Sequence, residues 1–171
     1  MQLDLNEIIP NHFDASSTVW IYQSNRRFTL SEAFELETMF EQFTLSWNSH
    51  GVAITGFATL LYGQFIVIVA DTTKSKVSGC STDSSVHFIQ SIQQKFKVDL
   101  LDRQHLAFYI KEKVELLPLA HVNHAIQNGF IDADTLYFNN LVNTKEALIN
   151  NWLIPVKQSL LSKKLQAAAN V

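Results

Sequence analysis

Two neighbouring runs, Val52 to Tyr62 and Phe65 to Ala70, carry apolar side chains on both faces, and any fold of this chain must bury both faces. Successive side chains of an extended strand point to opposite sides. Ile54, Ala58, Leu60 and Tyr62 alternate with Phe57 and Leu61, and Phe65, Val67 and Val69 alternate with Ile66 and Ile68. An antiparallel sheet with one wet face would alternate apolar with polar instead. Gly63-Gln64 between the runs predicts a hairpin, with Gly at the first central position of a type II′ turn. If Phe57, Leu61, Ile66 and Ile68 lay bare on one face, they would make an apolar patch on the order of several hundred Å², which monomers seldom expose. Cover must come from the C-terminal third, with Trp152, Leu153, Ile154, Leu160 and Leu161, or from a second copy. A monomer capped by its own C-terminal helices is expected slightly ahead of a homodimer.

The elements around these runs set the class. Thr18 to Tyr22 is β-branched and aromatic and reads as a first strand. Thr29 with Glu32 forms a capping box, after which Ala33, Leu36, Phe40, Phe43 and Trp47 recur at helical spacing until Gly51 closes the helix. Glu32, Glu35, Glu37 and Glu41 lie mostly off that stripe, near the positive end of the helix dipole, and read as a solvated face. A second helix runs to about Phe96, with Phe88, Ile89, Ile92 and Phe96 on its core side. His105 to Ile110 and Val114 to Leu117 flank Lys111-Glu112-Lys113 as a hairpin. The order β-α-β-β-α-β predicts an α+β, ferredoxin-like antiparallel sheet with helices on one face.

Beyond it, Pro118 starts a short helix ending at Gly129, and Thr135 to Phe138 is a strand leading into Asn139-Asn140. Asn143 with Glu146 caps another helix, and Pro155 breaks the chain before Val156, Leu160, Leu161 and Leu165. The expectation is a single domain over residues 1–171, with a core of 1–117 and a helix and strand extension of 118–171 packed on it.

Composition excludes several classes. An apolar share of 47% with twelve Phe and three Trp, against 17% charged, is that of a folded protein. One cysteine allows no internal disulfide, and the start Met1 to Glu7 lacks the basic and apolar run of a signal peptide, so a cytoplasmic protein is expected. The densest apolar region is broken at Gly63-Gln64, too short for a membrane span. A net charge of −3 gives no basic footprint for nucleic acid. No cofactor motif is present.

The stretch Val77-Ser78-Gly79-Cys80-Ser81-Thr82-Asp83-Ser84-Ser85-Val86-His87-Phe88 holds the single cysteine and leads into the second helix. If that helix starts at Ser81 or Thr82, its dipole lowers the Cys80 pKa and makes a nucleophile. The expected reading is instead that Gly79 turns the chain, a hydroxyl caps, and Cys80 is a small buried hydrophobe, since free cysteines are buried far more often than they are catalytic. Asp83 and His87, four apart, share the side opposite the core and face solvent. Cys80, Asp83 and His87 are the candidate catalytic groups; Arg26, Ser81, Thr82, Asn139 and Asn140 are the candidate ligand-binding groups. His121 and His124 could pair on a metal, but without a third ligand nearby they read as surface histidines, and no metal is expected.

With these residues laid out, the chain resembles a family of small uncharacterised bacterial proteins typical of Bacteroidetes. The resemblance runs from Val19-Trp20-Ile21-Tyr22-Gln23-Ser24-Asn25-Arg26 through the Cys80 stretch to Phe138-Asn139-Asn140-Leu141-Val142. Some members are labelled ABC transporter ATPase. That label needs a P-loop, and no glycine here is followed by lysine. The reading is a non-enzymatic protein that binds a partner or small ligand near Cys80. The alternative is an enzyme using Cys80 as nucleophile, or Asp83 and His87 as acid and base, with Arg26, Arg27 or Arg103 holding an anionic substrate.

Overall fold

The central hairpin forms, and its two apolar faces are covered by different partners. The computed structural model describes residues 2–49, 51–71 and 79–169. In chain order the elements are α1 (Leu5–Ile8), β1 (Thr18–Gln23), α2 (Leu30–Ser46), β2 (Asn48–Ser49), β3 (Val52–Ala53), β4 (Gly56–Leu61), β5 (Phe65–Ala70) and α3 (Gly79–Phe96). There follow β6 (His105–Ile110), β7 (Lys113–Pro118), α4 (Val122–Gln127), β8 (Leu136–Phe138), α5 (Lys145–Asn151), β9 (Leu153–Pro155) and α6 (Ser162–Ala169). Single 3₁₀ turns precede α4 and follow β9.

The protein is α+β with two main antiparallel sheets, ordered β1-β5-β4 and β7-β6-β8-β9, and a small β2-β3 ribbon. The ferredoxin-like order is not confirmed: the strand expected to complete the first sheet, β6, is paired on both sides within the second, by β7 and by β8. The outer edge of β1 instead meets a short return of the chain, where Thr18 bridges Thr144 and the Val19 N–H donates to the Asn143 carbonyl at 2.9 Å. Residues beyond Pro118 therefore supply two strands of a sheet, β8 and β9.

Three buried clusters define four layers. On one face of the first sheet, Ile66, Ile68 and Ala70 meet Leu36, Phe40 and Trp47 of the α2 end and Ile89, Ile92 and Phe96 of α3. Its other face, with Val19, Leu61, Phe65, Val67 and Val69, packs on Ala107 and Phe138 of the second sheet, with Ile9, Phe13, Leu148 and Trp152 at its sides. The far face of the second sheet, Phe108 and Tyr137 among it, meets Val122, Ala125 and Leu161 of the α4 and α6 region. Helices thus lie on the outer faces of both sheets, not on one face of a single sheet.

Cross-strand partners share a face, so the register corrects the expected patch. Phe57 opposes Val69 and Leu61 opposes Phe65, which puts Phe57 and Leu61 with Val67, while Ile66 and Ile68 face the helices. The hairpin turn also differs. Its central residues are Tyr62 and Gly63, with φ of 52° and 65°, and Gln64 N–H donates to the Leu61 carbonyl at 3.0 Å. Positive φ at both central positions is the type I′ pattern, not II′. Tyr62 tolerates it because its ring is held among Tyr109, Phe138 and Trp152, and its hydroxyl accepts from the Leu3 N–H.

Other boundaries moved by a few residues. The Thr29–Glu32 capping box is present, but α2 stops at Ser46 and Gly51, with φ of 82°, turns the β2-β3 ribbon. Thr144, not Asn143, caps α5, its side chain accepting from the Ala147 N–H. The buried Lys145 amine donates to the Pro10 and Phe13 carbonyls, tying the N-terminal lead-in to α5.

Candidate functional site

The residues singled out in the sequence do not converge. Val77 and Ser78 lie outside the described residues. Helix α3 begins at Gly79, so Cys80 belongs to its first turn instead of preceding it; the side chains of Cys80 and Ser81 lie outside what is described. Several hydroxyl residues in this stretch could each cap, which is why spacing misplaced the start. Asp83 and His87 are exposed as expected, and His87 Nδ1 lies 3.3 Å from Gln90 Oε1 on its own helix. Thr82 is half-buried, its carbonyl accepting from the Ser85 hydroxyl.

Arg26 is a strut. It holds the Glu32 carboxylate by two bonds of 2.9 and 2.8 Å and donates to the Phe96 carbonyl at 2.7 Å, at the C-terminal end of α3. At a rise of about 1.5 Å per residue, Cys80 and Phe96 are about 24 Å apart along the helix, so Arg26 cannot serve a ligand at Cys80. Asn139 N–H donates to the Trp152 carbonyl and its amide to the Asn151 carbonyl, holding the end of β8 against β9.

Asn140 does line a cleft, of about 440 Å³, between β1 and the Leu100–Ala107 segment. Its Oδ1 accepts from Trp152 Nε1 and its Nδ2 donates to Gln23 Oε1, both at 2.9 Å. Gln23 Nε2 in turn donates to the His105 carbonyl at 3.1 Å. This chain of amides joins the two sheets, and each amide is oriented because its oxygen meets a donor or its nitrogen an acceptor at every link.

The opposite wall is a tightly tied loop. Leu100 N–H donates to Gln93 Oε1, Leu101 and Asp102 N–H groups to Asp99 Oδ1, and Asp99 N–H to Asn25 Oδ1. Asp102 then accepts from the Gln104 N–H and from His105 Nδ1, the latter at 2.5 Å. Both interactions, the backbone bond first, hold the Asp102 carboxyl below its ordinary value. Arg103, exposed at the cleft, makes no ion pair among the described residues, and its charge reaches Tyr22 across the cleft. Burial pushes the Tyr22 phenol up, opposed by a hydrogen bond with Ser85 and by Arg103.

Chemically the cleft offers a guanidinium with no ion-pair partner among the described residues, an oriented imidazole, a phenol and two fixed amides against aromatic and aliphatic walls. A guanidinium beside fixed amides is chemistry that can hold a carboxylate. Of its residues the sequence reading had named Asn140, and Arg103 as a possible anion holder. It passed over Gln23, Tyr22, Asp102 and His105. The spacing of Asp102 and His105, after a run with Asp99, was the available signal; that Gln23 faces His105, 82 positions away, had none.

His121 and His124 lie on a second groove, of about 560 Å³, on the outer face of β6 and β7. Its walls are mainly Phe108, Ile110, Leu116 and Leu117, with Phe130 exposed at the rim. Among the described residues no group of three or more His, Cys, Asp or Glu is placed to hold a metal, and no helix is long and apolar enough to cross a membrane. In comparisons with family models, curated proteins and solved structures, no match to this chain was found.

Proposed function

We propose that the protein is a non-enzymatic binding protein whose site is the cleft beside β1, and that its ligand is small and carries a carboxylate. The observation that carries this is the amide chain from Trp152 through Asn140 and Gln23 to the His105 carbonyl, which sets a fixed polar floor in the cleft that Arg103 also lines, with no ion-pair partner among the described residues. A cation held on a well-bonded loop costs little further ordering when it meets an anion. The polar groups of the cleft are tied to one another, as suits recognition. The site moves from the Cys80 turn to this cleft because Arg26 is engaged elsewhere and Asp83 and His87 face solvent.

The test is amide and side-chain NMR with acetate, succinate and N-acetylated amino acids as probes. Saturable shifts at Gln23, Asn140 and His105, weakened about tenfold by Arg103→Gln as for the loss of a charge-assisted bond, are expected. Shifts confined to other surfaces, or none with any probe, overturn the reading.

A further inference from the structure

The cleft is bounded by the edge of a strand, and that decides what kind of body fits it. Residues of both parities of β1 line it, Trp20 and Tyr22 from the helix side and Val19, Ile21 and Gln23 from the side of the second sheet. A cavity that meets both sides of a strand faces the strand's edge. Val19 sends its N–H outward to Asn143, whereas Ser24 sends its own to Gln64 beside β5. By the alternation of an antiparallel ladder, Ile21 and Gln23 also present their main-chain groups outward. Among the described residues no partner is found for the Ile21 or Gln23 N–H.

The free edge is short and stopped at both ends. Asn143 to Lys145 occupies it beside Thr18, and the Gln23 side chain, bonded to Asn140 and His105, ties the sheets together at the other end. Between Val19, whose N–H is taken by Asn143, and Gln23 it spans about 13 Å at roughly 3.3 Å per residue. A chain cannot be threaded past those stops, but one that ends inside can lie along the edge. Arg103 lines the same cleft, so its charge is available there to a terminal carboxylate.

We propose that the cleft takes the C-terminal two or three residues of a peptide, added to β1 as a short strand with its carboxylate at Arg103. This rests on the cleft reading above and names its ligand class. Edge main-chain groups supply the bonds that every extended peptide can match, and the cation selects the free end.

The probes are mixtures of N-acetyl tripeptides with free carboxyl ends, their C-terminal amides, and versions N-methylated at one position at a time. The free acids are expected to shift Ile21, Gln23 and Asn140, with amidation weakening binding about tenfold. N-methylation should abolish binding at alternate positions only, because alternate residues face β1. Ile21→Pro removes the outward N–H at an edge that tolerates proline, and should lose the acids. If that variant fails to fold, the N-methyl series decides alone. Equal binding of acids and amides, or indifference to N-methylation, overturns the proposal. So do tripeptides that leave Ile21 unmoved while succinate or acetate still shifts Gln23 and His105, in which case the cleft reading stands. Silence from every probe ends both.

Discussion

Asn140 shows how a single side chain can hold two sheets together. Its amide accepts from buried Trp152 and donates to Gln23, which then reaches the His105 carbonyl. Asn140→Leu leaves the indole N–H and the Gln23 oxygen without partners, so a loss of about 1–3 kcal/mol is expected in urea unfolding. A change within about 0.5 kcal/mol, the scale of an ordinary surface substitution, would mean that the amide chain holds nothing together. Glu32 is one source of acid sensitivity. Arg26, then the Thr29 N–H, hold its carboxyl at about 2 against an ordinary 4.5. A depressed carboxyl stabilises the fold fully above the unfolded value and loses that contribution as pH falls from about 4.5 through about 2. Arg26 is 40% exposed, so solvent limits the gain to on the order of 1 kcal/mol. Glu32→Gln should lower stability at neutral pH and flatten the acid limb of stability against pH. An unchanged acid limb would remove Glu32 from the account. At this scale the capping box was legible, since its partners are three residues apart. The Gln23 and Asn140 pair, 117 positions apart, was not.

At the scale of elements, α2 and α3 came through because their bonds are local and their apolar stripes repeat at helical spacing. Leu36, Phe40 and Trp47 face the first sheet, and Phe40 is 4% exposed with its ring 6.2 Å from Phe88. Phe40→Ala should cost about 3–5 kcal/mol. His87→Ala, on the exposed side, should change stability by less than about 0.5 kcal/mol. Denaturant midpoints of the pair check the assigned faces, and a loss at His87 equal to that at Phe40 would reverse them. Gly56 opens β4 where a Cβ would sit 2.7 Å from Trp47 Cε3. Gly56→Ala therefore overpacks the ring and should cost about 1–3 kcal/mol in the same assay. The turns were less legible than the helices. Gly63 marked the hairpin, but whether Tyr62 or Gln64 shared the turn depended on the aromatic cluster that receives the Tyr62 ring.

For the whole molecule, the chain after Pro118 supplies half the strands of the second sheet, β8 and β9. Leu148 and Trp152 are buried against Phe65 and Phe138, and β9 closes the edge of the second sheet. A chain ending at Val142 loses all three, and with them the Leu148 and Trp152 flank of the cluster that holds Val67 and Val69. It should show no cooperative unfolding transition and should bind an apolar dye, whereas the intact chain should sediment as a 19.4 kDa monomer. A truncated chain that still unfolds cooperatively would show that the second sheet does not need its last strand.

The sequence by itself determined the class, the two main helices, the hairpins and the need to cover both faces of β4 and β5, because periodicity and turn residues act over a few positions. Only the tertiary structure decided that the cover is a second sheet, that β6 pairs there instead of beside β1, and that β1, Gln23, Arg103 and Asn140 come together to line one cleft. Strand pairing is chosen by competition among edges far apart in the chain, and local spacing carries no record of which edge wins.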